Sequence, residues 1–437
     1  MNGLLTAARS KVDQAEMYWA RRRRIDVLYR DYTLDRVSLD DLSSVSLRVI
    51  DDGRLGVSFG VTPDQREMID QAKAAAAHGG RSVFDLAPAA EVADVDSFSD
   101  ESSRLRSEDI VKLCEGIKEL VQRRRPDISL MITARVEATT LAVETTQGAC
   151  GEHRRTVTSV AFGAPVKGAG TGVYKAVSSV QPLDVPEALI EEFLEWYSWT
   201  ETVSVPATGR LPVILSPEAS FLFALPLCAG ISGDAVARKT SPVFDRVGEI
   251  VVGDALTVRD EPLLAGSPFS RPFDDEGVPC TPRTLVEKGV LRGLLADRFS
   301  GAKLGTGSTG NGHKRELFRS GTEVPVHPWP THLVIDPGEG TLAEMVARTE
   351  NGVLLYSGMG FHSGNYPQGQ FAVQGVGFHV LDGKVVGRLE GTMVAGSIYQ
   401  DFLDVAVSGE RREVDGLGGP VLAPYLRVGG LQVAGRP

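Results

Sequence analysis

Histidine and cysteine are scarce in this chain, and both are scattered. Its 437 residues include seven histidines and four cysteines. Cys114, Cys150, Cys228 and Cys280 show no C-x-x-C spacing, which excludes a zinc ribbon or a thioredoxin-type pair and predicts reduced thiols in a cytoplasmic protein. No two histidines stand at i, i+4, the spacing that sets two imidazoles on one helix face. His327 and His332 are five apart with Pro328 and Pro330 between them, which reads as a loop. Glu152 and His153 are neighbours and face opposite ways on a strand, while His362 and His379 meet only if strands bring them together. Met1 to Arg9 lacks the apolar core of a secretory leader, and no window nears 18 uninterrupted apolar residues, so neither export nor a membrane span is expected. Positive charge is also in deficit. A net charge of −11 argues against a general nucleic-acid or anionic-membrane binder. The basic clusters Arg21 to Arg24 and Arg123 to Arg125 follow helical patterns and read as solvated helix ends. No tandem repeat of short period is present.

What is present suits two or three domains. Residues 2–23 carry Leu4, Leu5, Ala8, Val12, Ala15 and Tyr18 at helical spacing, which predicts a helix. Strands follow at 25–29, 45–50 and 55–60, the last two joined by the hairpin signal Asp51-Asp52-Gly53. A helix over 63–78 is expected, capped by Thr62 or Asp64 and ended by Gly79-Gly80. The acidic, Ser-rich segment 88–103 reads as a loop, and Ser107–Arg124 as a helix stopped before Pro126. From 128 to 182, Thr- and Val-rich runs broken by glycine fit long antiparallel strands better than βαβ units. A short helix over 186–197 precedes a break at 203–209. A strand at 211–215 then leads into a central stretch, and 250–432 is mostly strands and glycine turns with one short helix near 340–350.

The central stretch begins SPEASFLFALPLCAGISGD at Ser216. Ser216 suits a helix cap, Pro217 the first helical position and Glu218 the first turn. Phe221 to Leu225 run without a polar gap, so the helix is expected to be buried on every side. Pro226 removes a backbone donor, at a cost of about 3 kcal/mol in a helix interior, and predicts a kink or an end. Gly230-Ile231-Ser232-Gly233-Asp234 is no nucleophile elbow, because its second glycine comes one residue early. Gly305 to Gly310 formally match G-x-G-x-x-G, but a turn and charges follow where a dinucleotide fold needs a helix. This loop reads either as a place where a substrate backbone comes close or as a plain connection. Asp274, Asp275 and Glu276 have an exposed turn as their ordinary meaning, with a hold on a partner or a substrate amine as the alternative. Asp297, Arg298 and Lys303 cluster as ion-pairing or carboxylate-binding groups do.

The order of apolar helix, Gly-x-x-Gly-Asp and Ala237-Arg238-Lys239-Thr240-Ser241 resembles the core of the TldD/PmbA family. So does the succession Asp274-Asp275-Glu276-Gly277, Glu287-Lys288-Gly289-Val290-Leu291, Asp297-Arg298-Phe299-Ser300, Ala302-Lys303-Leu304-Gly305 and Ser308-Thr309-Gly310-Asn311-Gly312. The resemblance spans nearly the whole chain, is closest over 270–312, and departs at Gly375, Val376 and 363–366. The zinc-binding branch carries His-Glu-x-x-x-His where this chain has Ala224, Leu225 and Ala229, and it uses a cysteine near its end where this chain has none beyond Cys280. The resemblance therefore implies the metal-free, PmbA (TldE-like) branch. It implies an α+β chain of two domains, an N-terminal α/β domain over 1–205 and a β-rich, barrel-like domain over 206–437 with a buried central helix. It further implies no catalytic residue, metal ligand or cofactor in this chain. Zinc and general base are expected in a TldD-like partner subunit, the pair cleaving peptide or small-metabolite amide bonds. Arg298, Lys303, Ser308, Thr309, Gly310 and Asn311 are the expected substrate-binding residues. Two alternatives stay open: an autonomous amide hydrolase with a displaced site, tested at His313 or His362, and a homodimeric scaffold that binds a peptide or metabolite.

Overall fold

The computed structural model describes residues 2–62 and 66–435. Period-two alternation shapes the first half. Strand β1 (Gln14–Arg30) pairs along its length with β2 (Thr33–Asp51) on one side and β4 (Met131–Thr145) on the other. With β3 (Arg54–Gly60), β5 (Cys150–Pro165) and β6 (Gly172–Ser179) they form an antiparallel sheet of order β3-β2-β1-β4-β5-β6. Asp52 (φ 49°) and Gly53 (φ 68°) are both left-handed, as the expected tight hairpin requires. Helix Ser107–Arg124 places Ile110, Cys114, Ile117 and Val121 in one core with Val27, Tyr29, Ile132 and Ala134. Helix Glu67–His78 packs Met68, Ile69, Ala72 and Ala76 with Val45, Leu47 and Val49. This helix ends at Gly79 as expected, but Arg66 occupies its N-cap position, and Asp64 lies outside the described residues.

The helix expected over residues 2–23 is two elements. A helix covers only Asn2–Ala8, and β1 begins at Gln14. Leu4, Leu5 and Ala8 do keep helical spacing, but Ala15 and Met17 alternate into the core from a strand held on both sides. Two neighbouring strands override the weak β propensity of a run such as Arg21 to Arg24. Those arginines are therefore not helix ends. Arg21 pairs with Asp41 at 3.0 Å and Arg24 with Asp26 at 2.8 Å. Arg124 and Arg125 do stand at a helix end, paired with Glu191 and Asp127. The segment 88–103 is irregular except for a short helix, Asp100–Ser103, capped by Ser99.

In the second half, β7 (Gly209–Leu215), β8 (Asn351–Met359), β9 (Gln370–Leu381), β10 (Met393–Ser397) and β11 (Gly419–Ala434) follow one another in the sheet, and β11 pairs back with β7. The ring closes as a five-stranded barrel, which leaves no free edge within it. Helix Phe221–Gly230 shares one core with Val213, Val353, Leu355, Phe371 and Leu426 from its strands. The helix is buried on every side except at Ala229, which is half-buried. It does not end at Pro226 but runs on to Gly230. One backbone bond is forgone there, and burial of Leu222, Phe223, Leu227 and Cys228, about 1.5–3 kcal/mol for each large side chain, outweighs it. Among the described residues no helix is long and apolar enough to cross a membrane.

Candidate functional site

The central helix starts from a charged anchor. Ser216 ends an extended run, and a short 3-10 turn, Pro217–Ala219, follows it. The Ser216 hydroxyl does not cap the helix but donates to Glu218 Oε2 at 2.6 Å. Glu218 Oε1 receives Lys175 Nζ at 3.2 Å and Arg412 Nη1 at 3.0 Å. Burial alone would raise this carboxyl, but the two cations hold it down at about 2. Along the helix, Ala224 and Leu225 are buried and Ala229 half-buried. Their methyl and isobutyl groups offer no lone pair and no acid, so this position does not fit a zinc ion or a general base. A Cβ built on Gly418 would stand 3.7 Å from both Leu225 and Trp329, so the ground beside Leu225 is also carbon-rich.

Past the helix, Gly230 to Asp234 are tied to the next motif. Gly233 N–H donates to Leu295 O at 2.7 Å, and Leu295 N–H to Ile231 O at 3.1 Å. Helix Arg298–Leu304 begins here, its N-cap Asp297 accepting from Ser300 N–H at 2.7 Å. Asp297 thus spends its charge on a cap and not on an ion pair with Arg298 or Lys303. Arg298 Nε donates to the backbone carbonyl of Asp85 at 2.6 Å, joining the two halves of the chain. Lys303 is exposed and lies over the Phe299 ring. Gly305 and Gly307 are left-handed and exposed.

Ser308 to Asn311 turn inward. Ser308 Oγ donates to Ala296 O at 3.2 Å, and Thr309 Oγ1 takes Ala296 N–H at 2.8 Å. Asn311 Nδ2 donates to Asp260 Oδ2 at 2.6 Å and Trp329 O at 3.1 Å. Gly310 is left-handed and packs on Pro279 so closely that a side chain has no room. The acidic trio, whose ordinary meaning is an exposed turn, is buried. Asp274 accepts N–H groups from Glu276, Val278 and Gly312, and Asp275 those of Lys314 and the Arg271 guanidinium. Burial pushes Asp275 up, but Arg271 foremost holds it down at about 2. Glu276 meets Arg48, which also meets Glu16. The Arg48–Glu16 pair lies between β1 and β2, over two hundred residues from Glu276, and no local motif announces it.

The histidines are dispersed. His379 is bonded to Ser204 and Asn351, and His362 sits in an exposed turn against Phe361. His153 is buried and Glu152 exposed, as strand alternation requires. His313 is buried beside Arg271 and Thr331, and burial first, then Arg271, pushes it down to about 3. His332 is fully buried with no hydrogen bond to either ring nitrogen among the described residues, and Glu413 Oε2 is 3.7 Å away. Burial raises Glu413 to about 7 from 4.5 and lowers His332 to about 4 from 6.5. Glu413 thus binds its proton more tightly folded than unfolded, and the stability it contributes, full below about pH 4.5, is lost as pH rises through about 7. His332 acts in the opposite sense, losing stability as pH falls from 6.5 towards about 4. Glu413→Gln removes only the first effect. The melting temperature of the variant minus that of the parent is expected to increase between pH 5 and pH 8, and a flat difference would contradict this reading.

Residues 208–435 match the family domain described as the PmbA/TldA metallopeptidase C-terminal domain. The chain belongs to the PmbA/TldD family. A Haemophilus influenzae protein named metalloprotease PmbA homolog is 30% identical over 45% of this chain and 40% of its own length. Metalloprotease PmbA of Escherichia coli O157:H7 is 26% identical over 51% of this chain and 47% of its own length. The metalloprotease TldD homolog of Haemophilus influenzae is 24% identical over 49% of this chain and 43% of its own. The matches thus span under half the length of these relatives. Over the whole fold the chain is similar to TldE from Thermococcus kodakarensis, with a TM-score of 0.86 at 22% identity, covering 99% of each chain. A putative modulator of a DNA gyrase from Thermotoga maritima gives a TM-score of 0.82 at 20% identity, covering 96% of each. The PmbA/TldD fold is therefore shared by both halves of the chain.

Proposed function

We propose that this chain is the metal-free subunit of a two-chain PmbA/TldD-type metallopeptidase that hydrolyses amide bonds of peptides or small metabolites. The reading is supported by Ala224, Leu225 and Ala229 of the central helix, which carry no metal-ligating atom and which the sequence resemblance sets against His, Glu and His of the zinc-binding branch. A chain that keeps the fold without the donors has the shape to complete a cavity and no chemistry to run it alone. Zinc, its water and the general base would come from a TldD-like partner bearing His-Glu-x-x-x-His. Lys303, Arg298 and the exposed glycines 305 and 307 would face an extended substrate, whose backbone such a loop accepts regardless of sequence. Ser308, Thr309, Gly310 and Asn311, internally bonded or tightly packed, would fix that loop in place.

The test pairs this chain with a TldD-like protein encoded in the same genome and follows hydrolysis of an unfolded casein. Activity is expected only with both chains present, and Lys303→Glu is expected to raise KM with little change in melting temperature. Hydrolysis by this chain alone, lost on replacing His313 or His362, would overturn the proposal in favour of a displaced site.

A further inference from the structure

Arg315 is a cation without a protein anion. It is half-buried, and its guanidinium makes no hydrogen bond or ion pair among the described residues. Its nitrogens are not closed off from solvent. Burial, foremost, weakens its hold on its proton. A charge drawn out of water with no partner is costly, so this position calls for an anion. The chain also makes room for it. A Cβ built on Gly419 would stand 2.9 Å from Arg315 Nη1 and 3.2 Å from Cζ. Gly418 and Gly419 are both left-handed, at φ 93° and 112°, and only glycine meets both demands at Gly419. The same turn reaches the central helix, because a Cβ on Gly418 would stand 3.7 Å from Leu225. One pair of glycines thus lies against the guanidinium on one side and the helix on the other.

Arg155 of the first sheet and Asp415 of strand Val405–Gly416 act on Arg315 in opposite senses. Arg155 lies 3.6 Å from Glu137, which also meets Arg22 at 3.9 Å. Asp26 is shared by Arg24 at 2.8 Å and Arg135 at 2.7 Å, and Arg24 also meets Asp40 at 3.1 Å. These four arginines and Arg315 therefore face Asp26, Asp40, Glu137 and Asp415, which leaves one positive charge in excess. Glu316, next in the chain to Arg315, does not change this sum, because Arg319 bonds it at 3.0 Å. The Nε atoms of Arg22, Arg24 and Arg155 are buried with no hydrogen-bond acceptor, so donors as well as charge are in surplus. One carboxylate matches both the excess charge and the fork of a guanidinium.

We propose that Arg315 binds a carboxylate of the peptide substrate beside the central helix, either the chain's own terminus or an acidic side chain. This rests on the peptide-amide reading above. The test is isothermal titration of the full chain with acetyl-dialanyl-phenylalanine as free acid and as amide, and with the corresponding amides ending in aspartate and in asparagine. Saturable binding of at least one charged peptide is expected, about tenfold or more tighter than its neutral counterpart and weaker at high salt. Preference for the free acid assigns the terminus, and preference for aspartate over asparagine assigns the side chain. Arg315→Gln should abolish the preference without lowering the melting temperature, since the guanidinium has no protein acceptor to lose. Arg315→Lys should keep part of it. No saturable binding, equal binding of charged and neutral peptides, a preference that survives Arg315→Gln, or a melting temperature lowered by Arg315→Gln would each overturn the proposal. Because binding is read on this chain alone, its failure leaves the two-chain hydrolysis test standing, and failure of that test leaves this binding measurable.

Discussion

Arg48→Ala is expected to lower the stability of the chain by about 3–5 kcal/mol, the usual cost of removing one partner from a buried ion pair. The Arg48 side chain is 11% exposed, and those of Glu16 and Glu276 are 1% exposed. Arg48 Nη2 lies 2.5 Å from Glu16 and 2.8 Å from Glu276. Without the guanidinium, two carboxylates remain in one dry space. Burial already raises Glu16 against the pull of Arg48, and loss of Arg48 raises it further. A folded-state pKa above the unfolded value costs stability as pH rises. The loss is therefore expected to be greater at pH 8 than at pH 5 in urea unfolding. Combining Glu16→Gln, Arg48→Met and Glu276→Gln should recover most of it. A loss below about 1 kcal/mol, typical of a solvated pair, would contradict the reading.

Leu225→Glu is the second large effect, expected to cost about 3–5 kcal/mol at pH 8. By the sequence resemblance, this is the position at which the zinc-binding branch carries its carboxylate. Here, however, Leu225 is 3% exposed, with no ligating imidazole at Ala224 or Ala229. The new carboxyl would titrate well above its normal range, so the cost should shrink towards pH 5. Leu225→Met, which keeps volume and polarity, should cost less than about 1.5 kcal/mol. A glutamate tolerated at pH 8 would mean that a cation stands beside this helix.

The sequence was most readable where periodicity and turn chemistry act locally. Asp52-Gly53 specified its hairpin, the spacing of Ile110, Cys114, Ile117 and Val121 specified a helix, and the gap-free run from Phe221 specified burial on every side. Reading failed where distant partners decide. Residues 14–23 pass for a helix until β2 and β4 flank them, and of the kink or end expected at Pro226 the end does not occur, because the helix runs on to Gly230. Asp274 to Glu276 pass for a surface turn because their partners, Arg48, Arg271 and the N–H groups of Gly312 and Lys314, stand elsewhere in the chain. The Lys175–Glu192–Glu218–Arg412 cluster was illegible for the same reason. That Ala224, Leu225 and Ala229 carry no metal-ligating atom was legible because it depends on residue identity alone.

Zinc content tests the central claim most directly. The chain is to be purified alone, without chelators, then dialysed with excess zinc, desalted and measured by mass spectrometry of the metal, beside the same preparation carrying a TldD-like partner. The account predicts zinc far below one ion per molecule in the isolated chain and about one per pair in the complex, as for a single catalytic zinc held by the partner's ligands with one position open to water. One zinc per isolated chain, lost on altering this chain's own side chains, would contradict it.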